Sequence, residues 1–387
     1  MNQPVPAVHD SDVVPESPAR ATVVRAVDVI ESPLEGMGRS ASVTGRAGHA
    51  FGGCDRFQMK RRETVDTEAF FESSNRYGHM SPEQRRFKLH QWQPKGVEGG
   101  KKPSQIAILI NGFLEGVDAG SAKEGLAFER YNKIAEALNR ENIAAVFLPL
   151  PFHFDRCGAA EADGTFQAIA QLRKNGTYLY YGGYDQVKDD IKKLVGEIHS
   201  APGRFGLDGK PQVHLIGYSL GGAAALGAAA GLGQEIASLS VLFSSWNLAS
   251  IKPEAIDKAF RAKFKFGAQE WGDTLKALED SRERFDPVFQ DLMWGGGASE
   301  WFDNGPKRML FVHGLDDELF PKEVTTKGIL DLYEKFLQLD GRARKERECV
   351  FISVGGLDHM HVRALVKRYP VADYVASFIA NPARCPD

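Results

Sequence analysis

The sequence predicts an α/β protein built on a mostly parallel β-sheet with helices on both faces. Two observations lead to this class. From about residue 85 onward, short apolar runs alternate with longer amphipathic segments. In addition, several runs, such as IAILI at 106–110, are apolar throughout, which is typical of parallel strands buried on both faces.

The predicted strands follow one another at regular intervals. RRFKLHQWQP at 85–94 alternates polar and apolar residues in the manner of a strand. The remaining predicted strands are mainly apolar, and they cover 106–110, 143–151, 212–219, 236–246, 308–314 and 347–356.

Predicted helices separate most of these strands. They have apolar residues at helical spacing, or in one case small residues throughout, and they cover 127–142, 183–200, 220–233, 328–341 and 371–382. Two long segments interrupt the alternation: an aromatic-rich insert at 152–182 and a helical lid at 247–307. Inserts of this length in a compact domain are typically functional.

The domain organisation follows from composition. Residues 1–50 are rich in Pro, Ser, Ala, Val and Gly without sustained periodicity, so we expect a loosely ordered N-terminal arm. Residues 51–387 are expected to form one domain that carries the insert and the lid. The sequence leaves a homo-oligomer open.

Charge, hydropathy and cysteine content exclude several classes of function. The net charge of -3 gives no basic footprint for nucleic acid. No apolar run approaches the roughly 18 residues of a membrane span. The N-terminus has neither the basic start nor the apolar stretch of a secretory signal. The four cysteines are widely separated and lack metal-ligand spacing, which favours free thiols. We therefore expect a cytoplasmic protein without nucleic-acid partners and without a metal.

The motif GYSLG at 217–221 lies between a predicted strand and a predicted helix. It matches the G-x-S-x-G turn that presents a nucleophilic serine, here Ser219, above the edge of a sheet. Glycines flank such a serine because a Cβ would collide with neighbouring backbone. Small residues from Gly222 to Ala225 would let the helix lie close to the sheet. A nucleophilic serine also requires a base and an orienting carboxylate.

With this motif the chain resembles the α/β-hydrolase superfamily, in its serine-nucleophile branch. The resemblance implies an acid and then a histidine, each directly after a strand downstream of the serine. GLDDELFP points to Asp317, with Asp316 as the near alternative, and GGLDHMH points to His359 rather than His361.

An oxyanion hole requires two backbone donors. One is expected to be the N–H of Leu220, directly after the nucleophile. The resemblance places the other at Phe113, in the loop after the strand at 106–110. Many members of the family have His-Gly in that loop, whereas this chain has Asn111 and Gly112.

These residues imply a serine hydrolase that cleaves a carboxylic ester or thioester of a small acyl substrate through a covalent acyl-enzyme, without a cofactor. An acyltransferase with the same triad and a catalytically silent binding protein are the alternatives. Substrate-binding candidates follow the strand at 143–151; they are Phe152, His153, Phe154 and Arg156. Two alternatives stay open: the phenylalanines could be lid core, and Arg156 could pair with an acidic neighbour.

Overall fold

Nine strands form one sheet in the part of the chain that the structure describes. The structure is a computed structural model, and it describes residues 26–30, 65–74, 82–95, 102–112, 122–151, 153–156, 183–244, 305–314, 317, 348–354 and 371–381, together with 269, 272 and 276. The strands are β1 (Ala26–Ile30), β2 (Val65–Glu72), β3 (Arg86–Gln93), β4 (Gln105–Ile110), β5 (Ala144–Leu148), β6 (Gln212–Tyr218), β7 (Ile236–Leu242), β8 (Arg308–Gly314) and β9 (Glu348–Val354).

The sheet is mostly parallel, in the order β1-β9-β8-β7-β6-β4-β5-β3-β2. All pairs from β1 to β5 along this order are parallel, whereas β3 runs antiparallel to both β5 and β2. Connections between parallel neighbours must cross over the sheet, which is why helices separate them along the chain. The strands that precede the candidate site residues, β4, β6 and β8, therefore all end at the same edge of the sheet.

Helices cover both faces of the sheet. The described helices are α1 (Pro82–Arg85), α2 (Ala122–Arg140), α3 (Gly183–Ser200), α4 (Leu220–Leu232) and α5 (Val371–Ala380). Side chains of α3 and α4 share one buried cluster with the strands, and side chains of α2 and α5 share a second. Along β4, Ile106, Ile108 and Ile110 belong to the first cluster, whereas Ala107 and Leu109 belong to the second. This alternation explains why the strand is apolar throughout.

The described elements confirm the predicted fold class and most of the predicted strands and helices. The helix predicted at 183–200 and the strand predicted at 308–314 have the predicted bounds. The helix predicted at 328–341 lies outside the described residues, as do the insert apart from 153–156 and most of the lid.

Two strands were not predicted from the sequence. β2 (Val65–Glu72) pairs with all eight residues of β3. β1 (Ala26–Ile30) falls within the segment expected to be a loosely ordered arm, and it pairs in parallel with β9. Both strands lie at edges of the sheet. The partner of β1 is far along the chain, so pairing decides its structure more than local patterning does, whereas β2 pairs with the next strand.

Among the described helices, none combines the length and the apolar composition that a membrane span requires.

His214 is buried within the sheet, at the end remote from Ser219 along β6. Its Nδ1 lies 2.8 Å from Ser238 Oγ and its Nε2 lies 3.1 Å from Gln105 Oε1. Because the amide oxygen of Gln105 can only accept, Nε2 carries the proton, and Nδ1 accepts from the Ser238 hydroxyl. Burial, reinforced by the positive charge of Arg308, lowers the pKa of His214 to about 3. The imidazole is therefore neutral in the folded protein over the physiological pH range.

We expect His214 to make the protein less stable as the pH falls from 7 to 5. The unfolded chain binds a proton at His214 with a pKa of about 6.5, whereas the folded chain does not until about pH 3. The free energy of unfolding should thus fall by about 2 kcal/mol more in the wild type than in His214→Gln between pH 7 and pH 5. Urea unfolding at both pH values measures this difference, with His199→Gln on α3 as the control. An equal pH dependence of wild type and His214→Gln would contradict it.

Candidate active site

Ser219 occupies the turn between β6 and α4 in a strained backbone conformation. Its φ is 52° and its ψ is -121°, and it is the N-cap residue of α4. Its N–H donates to the carbonyl of Leu242 at 2.9 Å, and its own carbonyl accepts from the N–H groups of Gly222 at 2.9 Å and Ala223 at 3.2 Å. A positive φ at a residue other than glycine costs about 1–3 kcal/mol, and it persists only where the surroundings enforce it. These backbone bonds, to a neighbouring strand and to the helix, hold the conformation.

The glycines around Ser219 allow backbone to touch backbone. A Cβ built on Gly217 would lie 2.3 Å from the carbonyl oxygen of Gly221, and one on Gly221 would lie 2.3 Å from the carbonyl oxygen of Asn111. A Cβ on Gly222 would lie 2.7 Å from Cβ of Ser244. A side chain at position 217 or 221 would displace the main chain, and one at position 222 would displace the side chain of Ser244. The pattern of glycines in GYSLGG thus follows from the close approach of α4 to β6 and to the loop after β4.

Gly112, in the loop after β4, lies directly against the nucleophile candidate. A Cβ on this glycine would lie 3.0 Å from Cβ of Ser219 and 2.8 Å from Cδ1 of Tyr218. The loop predicted to supply an oxyanion donor therefore begins beside Ser219. Phe113, the predicted donor itself, lies outside the described residues.

Leu220, the other predicted donor, is the first residue of α4. The first N–H groups of an α-helix have no carbonyl partner within the helix, and they lie at the positive end of its dipole. The position of Leu220 is thus suited to stabilising negative charge beside Ser219.

Asp317 follows β8 and is buried, with 2% of its surface exposed. Its N–H lies 3.3 Å from the carbonyl oxygen of Gly314, the last residue of β8, so Asp317 lies close to the end of that strand. In the sheet, β8 is separated from β6 by β7 alone, so Ser219 and Asp317 both follow strands that end at the same edge.

His359 and the alternative acid Asp316 lie outside the described residues. The strand that precedes His359 is described: β9 pairs in parallel with β8 along its whole length, to the pair Gly314 and Val354. β9 therefore ends at the same edge of the sheet as β8, which Asp317 follows.

Of the predicted substrate-binding residues, Phe152 lies outside the described residues, and His153 and Phe154 are core residues. Nδ1 of His153 lies 2.7 Å from the carbonyl oxygen of Pro151. The ring of Phe154 packs edge-on against Phe147, with 5.0 Å between the ring centroids, and also contacts Phe128 and Tyr131. These contacts place Phe154 in the core between α2 and the sheet, so neither a substrate contact nor the core of a lid describes it.

Arg156 pairs with a buried acid. Its side chain is 0% exposed, and Nη1 lies 3.0 Å from Oδ2 of Asp190 on α3 and 3.0 Å from the carbonyl oxygen of Pro149. Nη2 donates to Ser73 Oγ at 3.1 Å, and the guanidinium lies 4.5 Å from the ring centroid of Phe87. Arg156 thus pairs with an acidic residue, which was one of the two interpretations left open. Because its side chain has no exposed surface, Arg156 is not placed to contact a substrate.

Asp190 was not singled out from the sequence, although a signal was available. It lies three residues after Val187 and four before Leu194, which are both buried in α3, so helical spacing places it on the apolar face. A carboxylate on an apolar face requires a partner, because an unpaired buried charge is very unfavourable.

Asn111 connects two loops at the edge of the sheet and is 0% exposed. Its Oδ1 accepts from the N–H of Leu150, in the segment after β5, at 2.7 Å. Its Nδ2 donates to the carbonyl oxygen of Gly112 at 2.7 Å. From the sequence, Asn111 was notable only because many α/β-hydrolases have a histidine at the corresponding place. Neither of its two hydrogen bonds could be predicted.

Solved structures resemble this chain in fold. A puromycin-hydrolyzing peptidase from Mycobacterium tuberculosis is 12% identical to this chain, with a TM-score of 0.51. The match covers 85% of this chain but only 41% of the peptidase, so the chain spans about two fifths of that protein. Est1E from Butyrivibrio proteoclasticus is 16% identical, with a TM-score of 0.41 and coverages of 81% and 99%. Carboxyl esterase 2 from Tuber melanosporum is 14% identical, with a TM-score of 0.48 and coverages of 84% and 87%.

No protein-family model and no curated protein sequence matches the chain.

Alanine substitutions at two glycines of α4 should have opposite effects. In Gly221→Ala the new Cβ meets backbone oxygen at 2.3 Å, so we expect a loss of about 1–3 kcal/mol in the free energy of unfolding. In Gly231→Ala the nearest atom is Nζ of Lys192 at 3.0 Å, the end of a flexible side chain, and alanine favours the helix by up to about 1 kcal/mol. Urea unfolding of both variants measures the difference. A similar change in the two variants would show that α4 does not approach the loop after β4 as described.

Proposed function

We propose that this chain, which has the α/β-hydrolase fold, is a serine hydrolase that cleaves carboxylic esters or thioesters through a covalent acyl-enzyme. The observation that carries the proposal is the strained backbone of Ser219, with φ of 52° at a strand-to-helix turn. Strain of this kind is concentrated at functional sites, and here a serine adopts a conformation that it would otherwise avoid. The turn places that serine beside the first N–H groups of α4 and beside Gly112.

The proposed reaction uses the residues that follow β4, β6, β8 and β9. Oγ of Ser219 attacks the acyl carbon while His359 takes its proton. The N–H groups of Leu220 and Phe113 stabilise the negative charge on the carbonyl oxygen in the tetrahedral intermediate. When the intermediate collapses, the bond to the leaving group breaks, and His359 donates the proton to the departing alcohol or thiol.

Water then hydrolyses the acyl-enzyme by the same route, with His359 as the base, and releases the carboxylic acid. Asp317 is assigned the orienting role. Its burial supports this role, because a carboxylate shielded from water interacts more strongly with an imidazolium than an exposed one does.

The substrate is proposed to be a small to medium molecule with an apolar acyl chain. Since Phe154 and Arg156 are buried by contacts within the protein, they are not expected to select the substrate directly. Selectivity is assigned instead to Phe152, to the remainder of the insert and to the lid. A screen of p-nitrophenyl esters of graded chain length measures the depth of the acyl pocket.

A fluorophosphonate probe should label the wild-type protein at Ser219. We expect Ser219→Ala to abolish labelling, because the nucleophilic oxygen is removed. Ser244→Ala is the matched control: Ser244 is also a buried serine at the end of a strand, and labelling of this variant should persist. Mass spectrometry of the labelled peptide identifies the site. Labelling of Ser219→Ala at the wild-type level would contradict the proposed nucleophile.

Fluorophosphonate labelling tests the assigned histidine, and the rate of p-nitrophenyl ester hydrolysis tests the assigned aspartate, each against its neighbour in the sequence. His359→Ala should abolish labelling, while His361→Ala should retain most of it. Asp317→Asn should lower kcat by up to about 10⁴-fold, as loss of the orienting carboxylate does in other triads, whereas Asp316→Asn should have a small effect. The reverse result within either pair would reassign that residue.

The fate of the acyl group distinguishes hydrolysis from acyl transfer. With an ester substrate alone, we expect the carboxylic acid as the product, and adding an alcohol acceptor should leave it the main product. Chromatographic analysis of the products with and without the acceptor measures the ratio. A new ester as the dominant product at low acceptor concentration would instead assign an acyltransferase.

A further inference from the structure

We infer that Phe243 is a positioning residue for the nucleophile: its strained backbone orients the Leu242 carbonyl that holds the N–H of Ser219. The inference rests on the proposed function. It adds to the proposed site a residue at the end of β7, a strand that supplies none of the reacting groups.

Phe243 directly follows β7 and has a positive φ. The angle is 48°, and the chain bends at this residue. A phenylalanine avoids this conformation because its Cβ then lies too close to the following carbonyl oxygen, so the surroundings must enforce it. The side chain is 0% exposed and belongs to the buried cluster that α2 and α5 share with the sheet. Burial of the ring therefore holds Phe243 in a conformation that it would otherwise leave.

The peptide between Leu242 and Phe243 connects the turn of the nucleophile with β8. Its carbonyl oxygen accepts from the N–H of Ser219 at 2.9 Å, and its N–H donates to the carbonyl oxygen of Val312 at 2.8 Å. In a trans peptide these two groups point in opposite directions within one plane, so a rotation of that plane weakens both hydrogen bonds together. The φ of Phe243 is the torsion that relates this plane to the buried side chain. The strained φ and the anchored ring thus set the direction of the Leu242 carbonyl.

The Leu242 carbonyl is one of two anchors of the Ser219 backbone. The other is α4, in which the N–H groups of Gly222 and Ala223 donate to the carbonyl of Ser219 at 2.9 Å and 3.2 Å. A residue has only two soft backbone torsions, φ and ψ, so fixing its N–H on one side and its C=O on the other fixes both. The direction of the Cα–Cβ bond is then fixed as well. The direction in which the Ser219 side chain leaves the turn therefore depends on the Leu242 carbonyl.

The side chain of Phe243 also contacts the residue that precedes the nucleophile. The ring centroids of Phe243 and Tyr218 lie 6.0 Å apart, and the ring planes are inclined at 44°. Tyr218 is itself buried, and it is the β6 partner of Leu242 in the parallel pairing of β6 with β7. Main-chain and side-chain contacts thus act on the same turn from its β7 side.

Alanine and glycine at position 243 separate positioning from packing. Both remove the ring that enforces the positive φ. Alanine then relaxes to a negative φ, which turns the peptide plane away from Ser219, whereas glycine adopts a positive φ readily. If the ring only filled the core, alanine would be at least as good as glycine, because it leaves a smaller cavity and a less flexible backbone. The order of the two kcat values therefore distinguishes the two roles.

We expect kcat for a p-nitrophenyl ester to fall about 10- to 100-fold in Phe243→Ala, with KM within about twofold of wild type, because a small displacement of a reacting group slows the chemical step. Phe243→Gly should retain a kcat at least about threefold above that of Phe243→Ala. The rate constant for fluorophosphonate labelling of Ser219 should follow the same order. Thermal unfolding identifies the variants that are folded at the assay temperature. If neither folds, Phe243→Leu, which fills most of the ring volume, should show a kcat about 3- to 10-fold below wild type at unchanged KM.

Two controls make comparable changes away from the site. Asn142, in the turn before β5, also has a positive φ, of 60°, so Asn142→Ala and Asn142→Gly repeat the exchange at another such position. Phe205→Leu reduces a ring that is equally buried, in the cluster on the other face of the sheet. All three control variants should keep kcat within about twofold of wild type, because these positions are remote from Ser219.

The inference is overturned if kcat of Phe243→Ala equals or exceeds that of Phe243→Gly, if the loss appears in KM alone, or if a control variant loses as much. When only Phe243→Leu folds, a kcat within about twofold of wild type overturns it. In each of these cases the wild type is active and the proposed function stands. If the wild type neither hydrolyses esters nor reacts with a fluorophosphonate, the proposed function fails, and the inference fails with it.

Discussion

The candidate site depends on one constraint, the contact of main chain with main chain where α4, β6 and the loop after β4 meet. At Gly217 and Gly221 an added Cβ would lie 2.3 Å from a carbonyl oxygen, well inside any permitted contact. Because these segments approach so closely, the turn between them must be sharp, and Ser219 takes the strained conformation that such a turn requires. The same contact brings the loop containing Gly112 against the serine, so the position of the nucleophile and that of the predicted oxyanion loop are not independent.

A second, polar set of contacts holds the segment that follows β5. Arg156, Asp190, Ser73 and Gln186 form a buried hydrogen-bonded network between the end of β2, this segment and α3. Such a network adds little net stability compared with apolar packing, but removing one charged member leaves the other buried and unpaired, at a cost of about 3–5 kcal/mol. It therefore fixes where the segment lies, and through Leu150 it fixes Asn111 as well.

The fold could be predicted from the sequence where burial on both faces leaves a strong local pattern. β4 and β8 are apolar nearly throughout, and GYSLG combines a strand end, a turn and a helix start in five residues. β1 could not be predicted, because it pairs with the distant β9 and local sequence does not record a distant partner; β2 was not predicted although its partner β3 is the next strand along the chain. Asp317 could be proposed from the resemblance to the α/β-hydrolase superfamily and from its place after a strand, whereas the bonds of Asn111 to Leu150 and Gly112 could not be predicted.

The composition of α4 has a consequence for how the site responds to local unfolding. Its 13 residues are four glycines, six alanines and three leucines. Glycine disfavours a helix by about 1 kcal/mol relative to alanine, so this segment gains little helicity by itself and is stable only when docked on the sheet. Detachment of α4 would at once release the backbone of Ser219 and the first N–H groups of the helix. The nucleophile and its electrostatic surroundings should therefore be lost together, in one cooperative opening whose free energy hydrogen exchange of the α4 amides would report.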